Sequence, residues 1–350
     1  MAPPLTLTAT QIREKRADNP KLRERDFADM LGITEAQFLS AFQGHGVTPV
    51  NSHPDQIMHA AQTMGDVMAL TRNVSCVHEK IGVYDNYHPG HHAAMVLSED
   101  IDLRIFPSHW CHGFMVEKET DAGVRRSLQV FDAAGDAVHK IFLRDPAKQE
   151  AWNTAKSVLG LDGVPELIEV ADRAPVEAPK SDPAKLDVLR REWARLTDTH
   201  QFLRLASKLK MNRLGAYRIA GDPFVRALKP SAVDDMLVKL QAQGTGVMLF
   251  VGNKGCIQIH TGRLENLHPM GPWQNVMDPR FNLHLRLDHV AEVWAVDKPT
   301  QRGPAMSVEA FDADGSLIFQ VFGIPKDGND TRPEWRALVA TLESLEKEEA

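Results

Sequence analysis

VMALTRNVSCVHEKIGVYDNYHP, residues 67–89, returns 180 positions later as VMLFVGNKGCIQIHTGRLENLHP, residues 247–269, without a gap. Val67, Met68, Asn73, Cys76, Gly82, Asn86, His88 and Pro89 meet Val247, Met248, Asn253, Cys256, Gly262, Asn266, His268 and Pro269. The same shift lays SLQVFDAAGDAVHKIF (127–142) over SVEAFDADGSLIFQVF (307–322). Similarity at a fixed offset over so long an ungapped span marks a duplicated structural unit. The proline-rich stretch RAPVEAPKSDP (173–183) separates the copies and reads as a linker. Two repeats are therefore expected, 1–177 and 178–350.

Each repeat opens on helical periodicity: RDFADMLGITEAQFLSAF in the first, AKLDVLRREWARL and QFLRLASKLK in the second. Thr34 and Asn212 are placed as N-caps. Alternating segments follow, among them VMLFVGN, CIQIHTG, NLHLRLD and AEVWAVDK, and DAAG and DADG each turn a hairpin. Each copy then closes on a helix, with Trp152 and Trp335 in comparable places. Strands grouped together, not alternating one by one with helices, predict an α+β fold built on antiparallel sheets. A cleft between or beside the two sheets is the expected ligand site.

The chain has 350 residues, 43% of them hydrophobic, and a formal net charge of −7. That balance argues against a nucleic-acid surface. No apolar run approaches a membrane span, and the N-terminal segment carries no apolar leader. Cys76, Cys111 and Cys256 are widely spaced and odd in number, which fits reduced thiols in a cytoplasm.

Short signatures of nucleotide binding, serine hydrolysis and zinc peptidases are absent. NYHPGHH (86–92) has the look of a metal site, but only His88 recurs in the second copy. A retained His-Pro pair reads more simply as a turn with a hydrogen-bonding imidazole. Cys76 and Cys256 share one strand position and read as small buried residues. In IDLRIFPSHW (101–110), alternation predicts a strand with Arg104 and Phe106 on one face; the second copy has His284 and Arg286 there.

His200, in TDTHQFLRLASKLKMNRLGAY (197–217), stays open between a core histidine, a general base and a metal ligand. With Asp198 as N-cap it falls in the first turn of a helix apolar at Phe202, Leu203, Leu205 and Leu209 and cationic at Arg204, Lys208 and Lys210. Such a setting suits a flat apolar ligand with a metal at its centre and carboxylates at its edge.

LRERDFADMLGITEAQFLSAF, IDLRIFPSHW, DTHQF and MLFVGNKGCIQIHTG together resemble the HemS/HmuS/ChuS-type haem-trafficking and haem-degrading proteins, over essentially the whole chain. The resemblance implies two stacked repeats, each a large antiparallel sheet with flanking helices, and bound haem (iron protoporphyrin IX). It implies His200 as axial iron ligand and Arg104 on the opposite haem face, the two residues on which any chemistry would rest. Phe106, Phe250 and Phe322 would belong to the apolar haem wall, and Arg213 and Lys298 would face the propionates. Phe322 and Pro325 depart from a tyrosine and an arginine expected there. The implied role is haem uptake for iron acquisition in the cytoplasm, by a monomer or homodimer. The chain would either carry haem to a separate haem oxygenase, after an importer component, or degrade it with an external reductant.

Overall fold

The computed structural model describes residues 7–326 and 328–346, so the first six residues of the segment read as lacking a leader lie outside it. The chain forms two compact units. One contains Met1–Arg72, His78–Ala174 and Gly252–Gln258; the other contains Asn73–Val77, Pro175–Val251 and Ile259–Ala350.

The first half of the chain begins α1 (Ala9–Asp18), α2 (Glu24–Leu31), α3 (Glu35–Ser40), β1 (Val47–Val50) and α4 (Pro54–Thr63). Strands β2 (Val67–Arg72), β3 (Cys76–Gly82), β4 (Tyr87–His88), β5 (Ala94–Leu97) and β6 (Asp102–Ile105) follow. Then come β7 (His112–Thr120), β8 (Gly123–Phe131), β9 (Ala137–Leu143) and α5 (Gln149–Leu159).

The second half repeats the plan. It starts α6 (Leu186–Trp193), α7 (Gln201–Lys208), α8 (Arg213–Ala220), β10 (Val225–Leu228) and α9 (Ala232–Gln243). Strands β11 (Val247–Gly252), β12 (Cys256–Gly262), β13 (Leu267–Met270), β14 (Trp273–Asp278) and β15 (Phe281–Arg286) come next. It ends β16 (Glu292–Lys298), β17 (Ala305–Phe311), β18 (Leu317–Gly323), the short β19 (Pro325–Lys326) and β20 (Asn329–Asp330), and α10 (Arg332–Ala340).

Two antiparallel sheets of nine strands carry the fold, with helices before and after the strands in each half. Among strands of the first half the neighbours run β1-β7-β8-β9-β2-β3 in one sheet and β4-β5-β6 in the other; among those of the second half they run β10-β16-β17-β18-β11-β12 and β13-β14-β15, again in different sheets. The expected caps form. Thr34 makes a capping box with Gln37, and the Asn212 side chain accepts the Gly215 amide. Both hairpins turn on a glycine that must be left-handed, Gly135 at φ +79° and Gly315 at φ +86°. The closing helices bury Trp152 and Trp335 completely, and Cys76 and Cys256 are buried as read.

Three local expectations change. The His-Pro pairs are not turns: His88 ends β4 and His268-Pro269 lies within β13, both edge strands of their sheets. An edge leaves proline's missing donor without consequence for the ladder. The strand carrying Arg104 ends at Ile105, because Pro107 opens a 3₁₀ turn and Phe106 becomes its cap. The linker is not loose throughout, since Asn212 accepts the Lys180 amide and donates to the Ala178 carbonyl.

Candidate functional site

His200 stands at the N-terminus of α7, one residue ahead of the helix and not inside its first turn. Asp198 explains the difference. Its Oδ1 accepts the His200 amide at 2.7 Å and lies 2.7 Å from the ring Nδ1, so the side chain holds His200 and not the helix amides beyond. These bonds, the amide first and the ring second, keep the Asp198 carboxyl below the usual range. A neutral imidazole that donates from Nδ1 to a carboxylate keeps its lone pair on Nε2. The His200 side chain is 93% exposed, so that nitrogen is open to a ligand. The core-histidine reading is thereby excluded.

The turn bearing His200 is held from both sides. Gln201 Oε1 accepts the Thr197 amide, and the Gln301 amide donates to the Thr197 carbonyl. On the first turn of α7, Phe202 is buried against Trp193 and Tyr217 at ring-centroid distances of 4.4 and 5.4 Å. Leu209 is buried too, whereas Leu203, counted on the apolar side from the sequence, is exposed beside Arg204. Lys298 Nζ lies 5.1 Å from the Phe202 ring centre, so the helix that presents His200 packs directly on an ion cluster.

That cluster centres on Glu309 of β17, which is fully buried. Lys298 of β16 donates to its Oε1 at 2.8 Å; Arg213 and Tyr217 of α8 donate to its Oε2 at 2.9 and 3.0 Å. Ser307 adds a bond to Oε1. Burial pushes the carboxyl up, but Lys298 and Arg213 outweigh it and hold Glu309 at about 2. Burial also pulls the Lys298 ammonium below its ordinary range, against the pull of Glu309. Arg213 and Lys298, expected to face ligand carboxylates, thus find their counter-charge inside the protein. Neither Glu309 nor Tyr217 was singled out from the sequence. The signal for Glu309 was there: a carboxylate stands at a buried strand position where the first repeat has Gln129.

The aromatic pair lies on the same sheet. Phe250 of β11 and Phe322 of β18 are half-buried, with centroids 5.3 Å apart at 70°. Pro325, in β19, is exposed. In the first half, and described by itself, Arg104 of β6 is partly exposed and pairs with Asp102, with a further bond to the Leu103 carbonyl. Phe106 is half-buried, and its amide donates to the Gly255 carbonyl at 3.0 Å. His91 and His92 pack edge to face, and His284 bonds Asn275. The second unit therefore carries one open imidazole, an edge-to-face phenylalanine pair and two cations on a buried carboxylate. That set can ligate a metal and cover an apolar ring.

A family model described as the haemin-degrading HemS.ChuX domain matches residues 32–159 and again 210–342. The hemin transport protein HemS of Yersinia enterocolitica is 35% identical over 335 residues, 95% of this chain and 96% of that protein. The crystal structure of holo-PhuS, a heme-binding protein from Pseudomonas aeruginosa, superposes with a TM-score of 0.90 at 37% identity, covering 96% of this chain and 98% of that one. The structure of ChuS, an E. coli heme oxygenase, gives a TM-score of 0.84 at 32% identity, covering 94% and 98%.

Proposed function

The chain belongs to the haemin-degrading HemS.ChuX-domain family, and from that membership we propose that it binds haem in haem uptake and iron acquisition, with His200 as axial ligand of the iron. The observation that carries the assignment of His200 is the open Nε2 of an imidazole whose Nδ1 is fixed by Asp198. Iron in haem takes a neutral imidazole of this kind, oriented by a carboxylate on its far nitrogen. Phe250 and Phe322 are of the chemistry that covers a macrocycle. Arg213 and Lys298 would have to exchange Glu309 for propionates, or else serve by fixing the scaffold beneath α7.

Haem is cargo in this reading, handed on to an acceptor such as a haem oxygenase after an importer has supplied it. Among the described residues no helix is long and apolar enough to cross a membrane. The three cysteines are free, which supports a cytoplasmic setting as part of the proposal. A second reading, oxidative cleavage of the bound macrocycle, is favoured by the likeness to ChuS and by Arg104, which could donate charge-assisted hydrogen bonds to an oxygen species.

A haemin titration followed by absorbance, on wild type and His200→Ala, tests the binding. We expect a saturable Soret shift near one haem per chain, lost or weakened at least about tenfold in the variant. An unchanged spectrum in His200→Ala rejects His200 and moves the search to His268, His284 or His88. For cleavage, bound haem is followed with ascorbate and O₂, with and without catalase. Decay that persists with catalase and slows in Arg104→Ala supports the second reading, and decay abolished by catalase is free-peroxide chemistry.

A further inference from the structure

One face of the neighbouring strands β7, β8 and β9 holds a cavity of about 80 Å³. Val116 and Lys118 line it from β7, Arg125, Ser127 and Gln129 from β8, and Lys140 and Phe142 from β9, with Glu24 of α2 as the one carboxylate among them. The ladder sets these side chains against each other, Lys118 opposite Arg125, Ser127 opposite Phe142 and Gln129 opposite Lys140. The volume is far below the several hundred Å³ of a site for a macrocycle or drug-sized ligand. It admits a small ion.

The charge of the cavity follows from what duplication changed. In the second repeat the same register carries Lys298 opposite Ala305, Ser307 opposite Phe322 and Glu309 opposite Gln320. There Glu309 takes up the lysine on its own sheet. In the first repeat the acidic position is Gln129 and the neutral one is Lys140, so this face turns cationic. Lys118 donates at 3.2 Å to Glu24, which lines the cavity beside it, and Lys140 donates at 2.7 Å to Glu35, a carboxylate it shares with Arg72. Each ammonium has three donors, so these pairs leave donors for a ligand. Arg125 lays its guanidinium over the Phe142 ring at 5.9 Å, which orients it without consuming its N–H groups.

Gln129 supplies the second, independent sign of a ligand. It is 3% exposed, and its Nε2 donates to Ser127 Oγ at 3.0 Å. Its Oε1 is buried and has no hydrogen-bond partner among the described residues. A buried acceptor left unmade is costly, and here it sits among cations. One ligand class answers both features: an anion with acceptor oxygens for Lys118, Arg125 and Lys140 and a proton of its own for Gln129.

We infer that this cavity in the first repeat binds a small protonated oxyanion of the hydrogen-phosphate type. The inference is independent of the haem reading, since it uses none of the residues assigned to haem. Calorimetric titration of the full chain with inorganic phosphate, at neutral pH and fixed ionic strength, tests it. Saturable binding of one phosphate per chain is expected, and sulfate, which has no proton to give Gln129, should bind about tenfold more weakly. Gln129→Glu, which installs the carboxylate of the second repeat, and Arg125→Ala, at an exposed position, should each weaken phosphate about tenfold or more while melting like wild type. Absence of saturable binding, equal binding of sulfate, or indifference to both substitutions would each overturn the assignment.

Discussion

Asp198 and His200 illustrate how two residues can settle a role that a whole helix leaves open. An imidazole at the start of an amphipathic helix is compatible with burial, catalysis or ligation. The decision comes from the 2.7 Å approach of Asp198 Oδ1 to Nδ1 and from a ring that is 93% exposed. A carboxylate behind a ligating imidazole raises its basicity and fixes its direction, and losing such a partner typically costs ten- to a hundredfold in affinity. Asp198→Asn should therefore keep the fold and the Soret position, yet weaken haemin binding about tenfold, read by competition with a haem scavenger. If its affinity equals wild type, the Asp198 contact is a helix-start device and no more. From the sequence, His200 is legible as a candidate, but Asp198 reads as the helix cap, a place that His200 itself takes. Their mutual bond is not legible there, because the i to i+2 geometry of a non-helical turn has no periodic signature.

At the scale of elements, the duplication made most of the order readable. Alternation with turn glycines predicted the β8–β9 and β17–β18 hairpins, and three- and four-residue spacing predicted the helices before them. What escaped was where elements meet irregular chain. The linker carries prolines and reads as a spacer, yet α8 holds it. Asn212 bonds both Ala178 and Lys180, and a Cβ on Gly215 would stand 1.9 Å from the Lys180 carbonyl oxygen. Gly215 is thus required by a close approach of backbone to helix and not by an unusual φ. Gly215→Ala should force residues 178–180 off α8 and destabilise the chain by about 2–3 kcal/mol in urea unfolding. Since α8 also carries Arg213 and Tyr217, haemin binding should weaken in parallel. An unfolding midpoint equal to wild type would mean that the segment does not lie on α8.

For the molecule as a whole, the two repeats share a scaffold but invert the charge at its interior. The residue after each helix cap is Glu35 in the first repeat and Arg213 in the second. Glu35 is met by Lys140 and Arg72 from the strands, Arg213 by Glu309 beside Lys298. Repeat counting could find the scaffold, because identities survive there. It could not show the inversion, because the partners lie on different strands and pair only once register is known. Each cluster keeps a buried carboxylate ionised. Burial raises Glu35 and Glu309, and the adjacent cations overcome it, bringing each from 4.5 to about 2. A carboxylate depressed on folding stabilises the native state above its unfolded value, and that contribution fades as pH falls from about 4.5 through about 2. The linked stability is on the order of 3 kcal/mol for each cluster. The melting temperature should accordingly hold near neutral pH and fall steeply below about pH 4.5. Glu309→Gln should lower it at pH 7, by leaving the buried Lys298 and the partly exposed Arg213 without a counter-charge, and flatten the acid slope by its own share. Glu35→Gln should flatten the slope by a similar share, with Lys140 and Arg72 left in the same position. Acid slopes in both variants equal to wild type would show that neither carboxylate is ionised through these pairs.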